Sequence, residues 1–146
     1  MKKINRFRKE YWFLSNFFRC YIMYCGKEWK TSEHLFQSMK TTNANMKEKM
    51  RKIPKPNRVK AFGNTIKLVP GWDAVKLGVM KRVLYLKFEQ NLSLTRKLLA
   101  TKDAILEEGN TWHDNYWGNC CCSRCENIKG ENHLGLLLME LREELK

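Results

Sequence analysis

Apolar and polar positions along this chain of 146 residues alternate with two different periods. Arg19-Cys20-Tyr21-Ile22-Met23-Tyr24 is dense in strand-forming side chains, and Cys25-Gly26-Lys27 can turn, so a β-hairpin is predicted over Phe18–Trp29. The pattern then becomes helical. Leu35, Phe36 and Met39 bury one face of a helix over Thr31–Lys40, with Thr31 or Ser32 able to cap its free N–H groups. A second, very basic helix is predicted over Asn43–Ile53, stopped by Pro54 and Pro56, and a short helix from there to Gly63. The longest helix spans Trp72–Gln90. Val75, Val79, Val83 and Leu86 form one stripe on it, and Leu77, Met80, Leu84 and Phe88 another, so this helix is expected to be buried on more than one side. A shorter helix follows over Leu94–Thr101. Ala104–Trp117 reads as irregular or weakly β, and Asn132–Leu145 as a last helix with Leu134, Leu137, Leu138, Leu141 and Leu145 on one face.

These elements predict an α+β fold: a single compact, helix-dominated domain over residues 1–146 with a small hairpin. No repeat, low-complexity tract or long linker interrupts it. At 43% hydrophobic and 12% aromatic the composition is globular. No apolar run approaches the ~20 residues of a membrane span, and no apolar segment follows the basic N-terminus, so the expected location is the cytoplasm, away from any membrane.

Charge sharpens the picture. Residues 1–60 hold 16 Lys and Arg against 4 Asp and Glu, a balance of +12, whereas residues 61–146 hold 12 against 11, a balance of +1. The first part should attract phosphates, on a nucleotide or on nucleic acid, although a lysine-rich solvated surface would look the same. Six cysteines in such a chain are expected to be reduced thiols. Four of them crowd into Cys120, Cys121, Cys122 and Cys125, where Cys122-x-x-Cys125 could take a metal if His113 or His133 completed the set. A structural zinc usually draws on a second, well-separated pair, and none is visible. The expectation is therefore no metal and no cofactor.

Two carboxylates stand out. Glu33 falls in a first helical turn, where the dipole favours a negative charge by about 0.3–1 kcal/mol; it could equally do no more than complement that dipole. Asp114 lies in Trp112-His113-Asp114-Asn115-Tyr116-Trp117-Gly118, which reads as a loop able to stack a flat ring on Trp with an acid beside it, or as a surface loop with an aromatic anchor. Trp72 follows Pro70-Gly71 and can wall a pocket or pack in the core. Phe13, Ser15, Asn16 and Phe17 mix rings with small polar groups that can bind a substrate edge, or end a strand. No P-loop, GxGxxG, GxSxG or HExxH is present.

With these residues in view, the chain resembles the YbiA-like, or NADAR, family of N-glycosidases from about Phe13 to Arg142. The marks are Phe13-x-Ser15-Asn16-Phe17, Trp29-x-Thr31-Ser32-Glu33-His34-x-Phe36-Gln37 with Lys40, Lys60-Ala61-Phe62-Gly63, Trp72, and Met80 with Lys87-Phe88-x-Gln90-Asn91. They continue with Leu98-Leu99-x-Thr101, Asp114-x-x-Trp117-Gly118, Gly130-x-Asn132-x-Leu134-Gly135 and Met139-x-Leu141-Arg142. The resemblance implies hydrolysis of an N-glycosidic bond between a phosphorylated ribose and a base or amine. Members similar to this chain cleave ribosylamino-pyrimidine phosphates of the riboflavin pathway; others act on ADP-ribose derivatives, including ADP-ribose attached to guanine in nucleic acid. It also implies that Glu33 and Asp114 are the catalytic acids. Trp72 and Trp117, with Phe13 or Phe17, would hold the base. Lys40 and Lys60 would hold the phosphate, with Ser15, Asn16, Gly63, Gly118 and Asn132 lining the site. Between Gly118 and Gly130 the chain departs from the common pattern, carrying its cysteine cluster where many members have a shorter glycine-rich turn.

Departure of a base from ribose builds an oxocarbenium-like cation, which glycosidases meet with a pair of carboxylates. A carboxylate at a helix N-terminus suits the base or electrostatic role, leaving Asp114 to protonate the leaving group or hold ribose hydroxyls. The rival expectations are a nucleic-acid-binding module without turnover, a sensor that binds ADP-ribose or NAD-like ligands uncleaved, and a small zinc-stapled interaction domain.

Overall fold

The computed structural model describes residues 2–146. Its elements are β1 (Lys3–Ile4), a 3-10 turn (Lys9–Leu14), β2 (Arg19–Tyr24), β3 (Lys27–Thr31), α1 (Ser32–Ser38), α2 (Ala44–Lys52), α3 (Pro56–Gly63) and α4 (Trp72–Glu89), then α5 (Leu92–Ala100), β4 (Ile105–Leu106), β5 (Gly109–Asn110), β6 (Asn119–Cys120), a second 3-10 turn (Ser123–Cys125) and α6 (His133–Glu144). The fold is α+β and dominated by helices, with two-stranded sheets β1–β4, β2–β3 and β5–β6 among the described residues. Two contact-dense units emerge: Asn16–Leu92, and the residues up to Ser15 together with Ser93–Lys146.

In the unit Asn16–Leu92, β2 and β3 pair antiparallel, with Ile22 opposite Trp29 and Tyr24 opposite Lys27. Cys25 and Gly26 both take positive φ, 50° and 76°, the geometry a two-residue hairpin turn requires. Strand β3 runs straight into α1, whose seven residues are all buried. A helix buried on every side must find partners for its polar groups. The Thr31 hydroxyl caps His34 N–H at 3.1 Å, and Lys47 of α2 reaches the Ser38 carbonyl at 3.0 Å. At the far end of α4 the Gln90 amide brackets Met23 of β2, accepting from its N–H at 2.6 Å and donating to its carbonyl at 2.8 Å. Asn91 adds a bond to Tyr21 O at 2.6 Å.

The long helix departs from expectation in one respect. Met80, Val83, Leu84 and Phe88 are buried, but Val75 and Leu77 are 48% and 36% exposed. The two apolar stripes become core only along the last turns, where β2 packs; the first turns are covered on one side.

In the other unit, β1 and β4 pair parallel, with Ile4 beside Leu106, and α6 buries Leu134, Leu138 and Leu141. Arg142, itself buried, donates to Thr101 Oγ1 at 2.8 Å and Ala104 O at 2.9 Å, closing the turn after α5. Strands β5 and β6 are also parallel, with Asn110 beside Cys120.

Candidate active site

Glu33 sits on the first turn of α1 and is only 6% exposed. Its backbone N–H donates to Asn16 O at 3.0 Å, and Ser32 Oγ donates to Asn16 Oδ1 at 2.8 Å. The Asn16 segment therefore crosses the start of the helix and fixes it. Asn16 Nδ2 in turn lies 3.5 Å from Met80 Sδ. His34, the next residue, is structural. Its Nε2 faces Ile53 O at 2.8 Å, and so carries the proton and donates. Its Nδ1 accepts from the Thr31 hydroxyl at 2.7 Å. Burial holds its pKa below the ordinary value, keeping the ring neutral.

The Glu33 carboxylate is oriented by Gln37, one turn on, whose Nε2 donates to Oε1 at 2.8 Å. Gln37 is held in place by a close approach to α3: a Cβ on Gly63 would stand 1.9 Å from Gln37 Oε1. Gly63→Ala should therefore displace the Gln37 amide rather than unfold the chain. Loss of a hydrogen bond to a charged group, worth about 1.5–3 kcal/mol, predicts a kcat lowered about 10–100-fold with the thermal midpoint little changed. Turnover and melting measured on one preparation test this.

Cations gather near this carboxylate. Lys40 is 9% exposed, and burial pushes its pKa below the usual lysine value. The charge on Glu33 opposes that shift, and Lys60 and Lys76 reinforce it. The Lys40 carbonyl accepts from Val69 N–H at 2.9 Å, tying the loop before α4 to the end of α1. Lys60 Nζ lies 6.0 Å from the centre of the Phe17 ring. Trp72 opens α4, buried, with its ring 5.3 Å from Phe36 at 52°. This unit thus brings together Asn16, Phe17, Glu33, Lys40, Lys60, Gly63 and Trp72.

The other unit gathers Asp114, Trp117, Gly118 and Asn132. Asp114 Oδ1 accepts the N–H groups of Tyr116 at 3.1 Å and Trp117 at 2.9 Å, so one carboxylate oxygen shapes the turn. The Asp114 backbone is clamped by Asn110, which accepts its N–H at 3.1 Å and donates to its carbonyl at 2.8 Å. Trp117 packs edge-on against Tyr116 at 4.8 Å. Gly118 passes so close to Glu108 that a Cβ would lie 2.1 Å from its carbonyl oxygen. Asn132, at φ 52°, accepts from Glu108 N–H at 3.0 Å and donates to Leu106 O at 2.9 Å. Phe13 is buried under Lys97, and Ser15 ends the first 3-10 turn. His113, Cys120, Cys122 and Cys125 also converge here, their ligand atoms all within 4.8 Å of one another.

Comparison with known proteins gives the family. Residues 4–146 match the NADAR domain. The chain belongs to the NADAR family. It is 43% identical over 138 residues to the N-glycosidase YbiA of Shigella boydii serotype 4, covering 93% of this chain and 82% of that protein. A riboflavin biosynthesis protein of Vibrio vulnificus is 33% identical over 138 residues, which are 92% of this chain and 35% of that longer protein. The solved NMR structure of Escherichia coli YbiA superposes with a TM-score of 0.86 at 38% identity, over 99% of this chain and 84% of that one. The NADAR chain keeps the helix-dominated α+β fold that its sequence predicted.

Several of the predicted binding residues have clear structural work in this NADAR chain. Asn16, Gly63, Gly118 and Asn132 build the frame, and Trp72 packs largely inward. Sequence reasoning gave no role to Gln37 or Asn110, or to Lys76. Gln37 was legible, lying one helical turn after Glu33; the charge of Lys76 acts on Lys40 only through tertiary folding that no spacing in the chain announces.

Proposed function

We propose that this chain is an N-glycosidase that hydrolyses the bond between a phosphorylated ribose and a base or amine, residues 1–146 forming one NADAR domain. The observation that carries the reading is a buried carboxylate, Glu33, held by Gln37 and set in the field of Lys40, which Lys60 and Lys76 flank in turn. A fixed anion suits the cation that develops at the anomeric carbon, and ammonium groups nearby suit the phosphate of the same substrate. Glu33 acts toward water or the cation. Asp114 supplies the second carboxyl through Oδ2, its Oδ1 being committed to the turn. The relatives named N-glycosidase and riboflavin biosynthesis protein support a ribosylamino-pyrimidine phosphate as substrate. The +12 balance of residues 1–60 favours a second candidate, ADP-ribose attached to guanine in nucleic acid.

The test incubates the purified chain with each compound and follows free base and sugar phosphate. Release from either supports the reading, and assigns the substrate; folded protein that releases neither overturns it. The lysine assignment has its own prediction. Lys40→Met should raise KM about 10–100-fold, the worth of one charge-assisted bond, and leave kcat within a few-fold. An unchanged KM for the phosphorylated substrate would remove Lys40 from phosphate binding.

A further inference from the structure

We propose that His113, Cys120, Cys122 and Cys125 form a structural zinc site, which would replace the expectation of an unmetallated loop. His113 Nδ1 lies 3.2 Å from Cys122 Sγ, 3.3 Å from Cys125 Sγ and 3.9 Å from Cys120 Sγ. A tetrahedral zinc with bonds of ~2.3 Å to sulfur and ~2.0–2.1 Å to nitrogen sets its ligand atoms about 3.6 Å (N to S) and about 3.8 Å (S to S) apart. The three nitrogen–sulfur distances bracket that edge, and all four atoms fall within 4.8 Å of one another.

The backbone is arranged to bring them there. Cys120 ends β6, and its N–H donates to Asn115 Oδ1 at 2.9 Å. Cys122 and Cys125 bracket the second 3-10 turn, with Cys125 N–H on Cys122 O at 3.0 Å, the tight Cys-x-x-Cys hook of many zinc loops. Asn115 Nδ2 points at Cys125 Sγ from 3.5 Å, the kind of outer donor that steadies a ligating thiolate. His113 holds φ 68°, a left-handed conformation that costs a residue with a side chain about 1–2 kcal/mol. Asn110 fixes that loop through Asp114 on one side and Trp112 N–H, at 3.3 Å, on the other. Thiols are weak hydrogen-bond partners and offset such strain poorly; a metal bond offsets it well.

Donor chemistry selects the ion. Three sulfurs and one imidazole form a closed tetrahedral set, which favours zinc and leaves no open position for substrate or water. The site is therefore a staple. Three thiolates, a neutral imidazole and Zn2+ sum to one negative charge, and the exposed Arg124 stands beside it, its Nη2 now 2.7 Å from His113 Nε2. On metal binding through Nδ1 the His113 proton resides on Nε2, so the guanidinium shifts aside while its charge stays close. Cys121 is outside the set: its Sγ meets Arg6 Nη2 at 3.2 Å. The consequence for the loop is direct. His113 precedes Asp114, so the metal would tie the segment that shapes Asp114 and Trp117 to the cysteine turn ten residues on.

The proposal is tested without any substrate, so it stands or falls apart from the enzymatic reading. The full chain is purified untagged from zinc-supplemented cultures, analysed for metal, then exchanged with Co2+. About one zinc per chain, with intense thiolate-to-cobalt absorption and tetrahedral d–d bands, is expected. Cys122→Ser and His113→Ala should fall toward zero metal, and Cys121→Ser should keep it. A chelator should lower the thermal midpoint of the wild type. Folded wild-type protein that carries no zinc and takes up cobalt without thiolate absorption overturns the site, as does a Cys122–Cys125 disulfide found by mass in protein purified under reductant-free conditions.

Discussion

Replacing Glu33 by Gln lowers kcat about 10²–10³-fold on whichever N-glycoside the chain cleaves, with little change in fold. The substitution keeps volume and shape in a position that is 6% exposed, and the new amide oxygen can still accept from Gln37 Nε2, so packing and the Gln37 bond survive. What disappears is the charge. Two effects of opposite sign follow. The developing cation at the anomeric carbon loses its anionic partner, and this is a transition-state loss, so kcat and kcat/KM fall together. Lys40 loses the Glu33 charge that opposes its neighbours Lys60 and Lys76, so the potential around it becomes more positive. Binding of a phosphorylated ligand should then be as tight as in the wild type, or tighter. A variant that is slow yet binds substrate phosphate well is the signature. Steady-state kinetics alongside equilibrium binding of ribose 5-phosphate measures both; turnover within a few-fold of wild type would take Glu33 out of the chemistry.

What the sequence made legible and what it hid divide along physical lines. Local signals were readable: Thr31 as a cap, Cys25-Gly26 as a tight turn, Pro56 opening α3, and the leucine face of α6 depend on neighbours within a turn of helix. Roles that arise from distant packing were not. Asn16 looked like a substrate-edge residue, because a small amide near aromatic rings fits that part; in the fold its carbonyl and side chain are spent on Glu33 N–H and Ser32 Oγ. Gly63 and Gly118 looked like site-lining glycines, whereas each is small because another group already occupies the space a Cβ needs. The exposure of Val75 and Leu77 was hidden for the same reason: periodicity shows that two apolar faces exist, and only the partner elements decide which are covered. His113 was visible as a possible completion of the cysteine set, but its choice over His133 depends on a left-handed backbone angle that spacing does not reveal.

Lys87→Met should make the protein more stable at neutral pH, and should reduce the rise in stability that the wild type shows in mild alkali. Lys87 is fully buried in the last turns of α4, its Nζ 5.7 Å from the centre of the Phe18 ring and 5.4 Å from that of Phe88. Burial is the main cause that lowers its pKa from 10.5 to about 8, with a smaller opposing contribution from Cys20. The sign follows from proton counting. Between about 8 and 10.5 the unfolded chain binds more protons at this site than the folded one, so stability climbs with pH across that window. Below about 8 both states are protonated, and the folded state carries the whole penalty, about 3 kcal/mol at 1.36 kcal/mol for each pKa unit. Met matches the stem of Lys in length and volume and needs no desolvation, so the variant should gain up to that amount at pH 7, about 6–12 °C in thermal midpoint for a chain of this size. Cys20 titrates nearby, its thiol pushed up by burial and drawn down by the Lys87 charge, so Cys20→Ala in both backgrounds removes that thiol, and the difference between the two backgrounds reports the lysine. Urea midpoints at several pH values from about 7 to 10 read the effect. A wild type whose stability stays flat or falls across that window in the Cys20→Ala background, or a Lys87→Met variant that is less stable at pH 7, would mean that the buried ammonium is compensated by its surroundings and held there at no net cost.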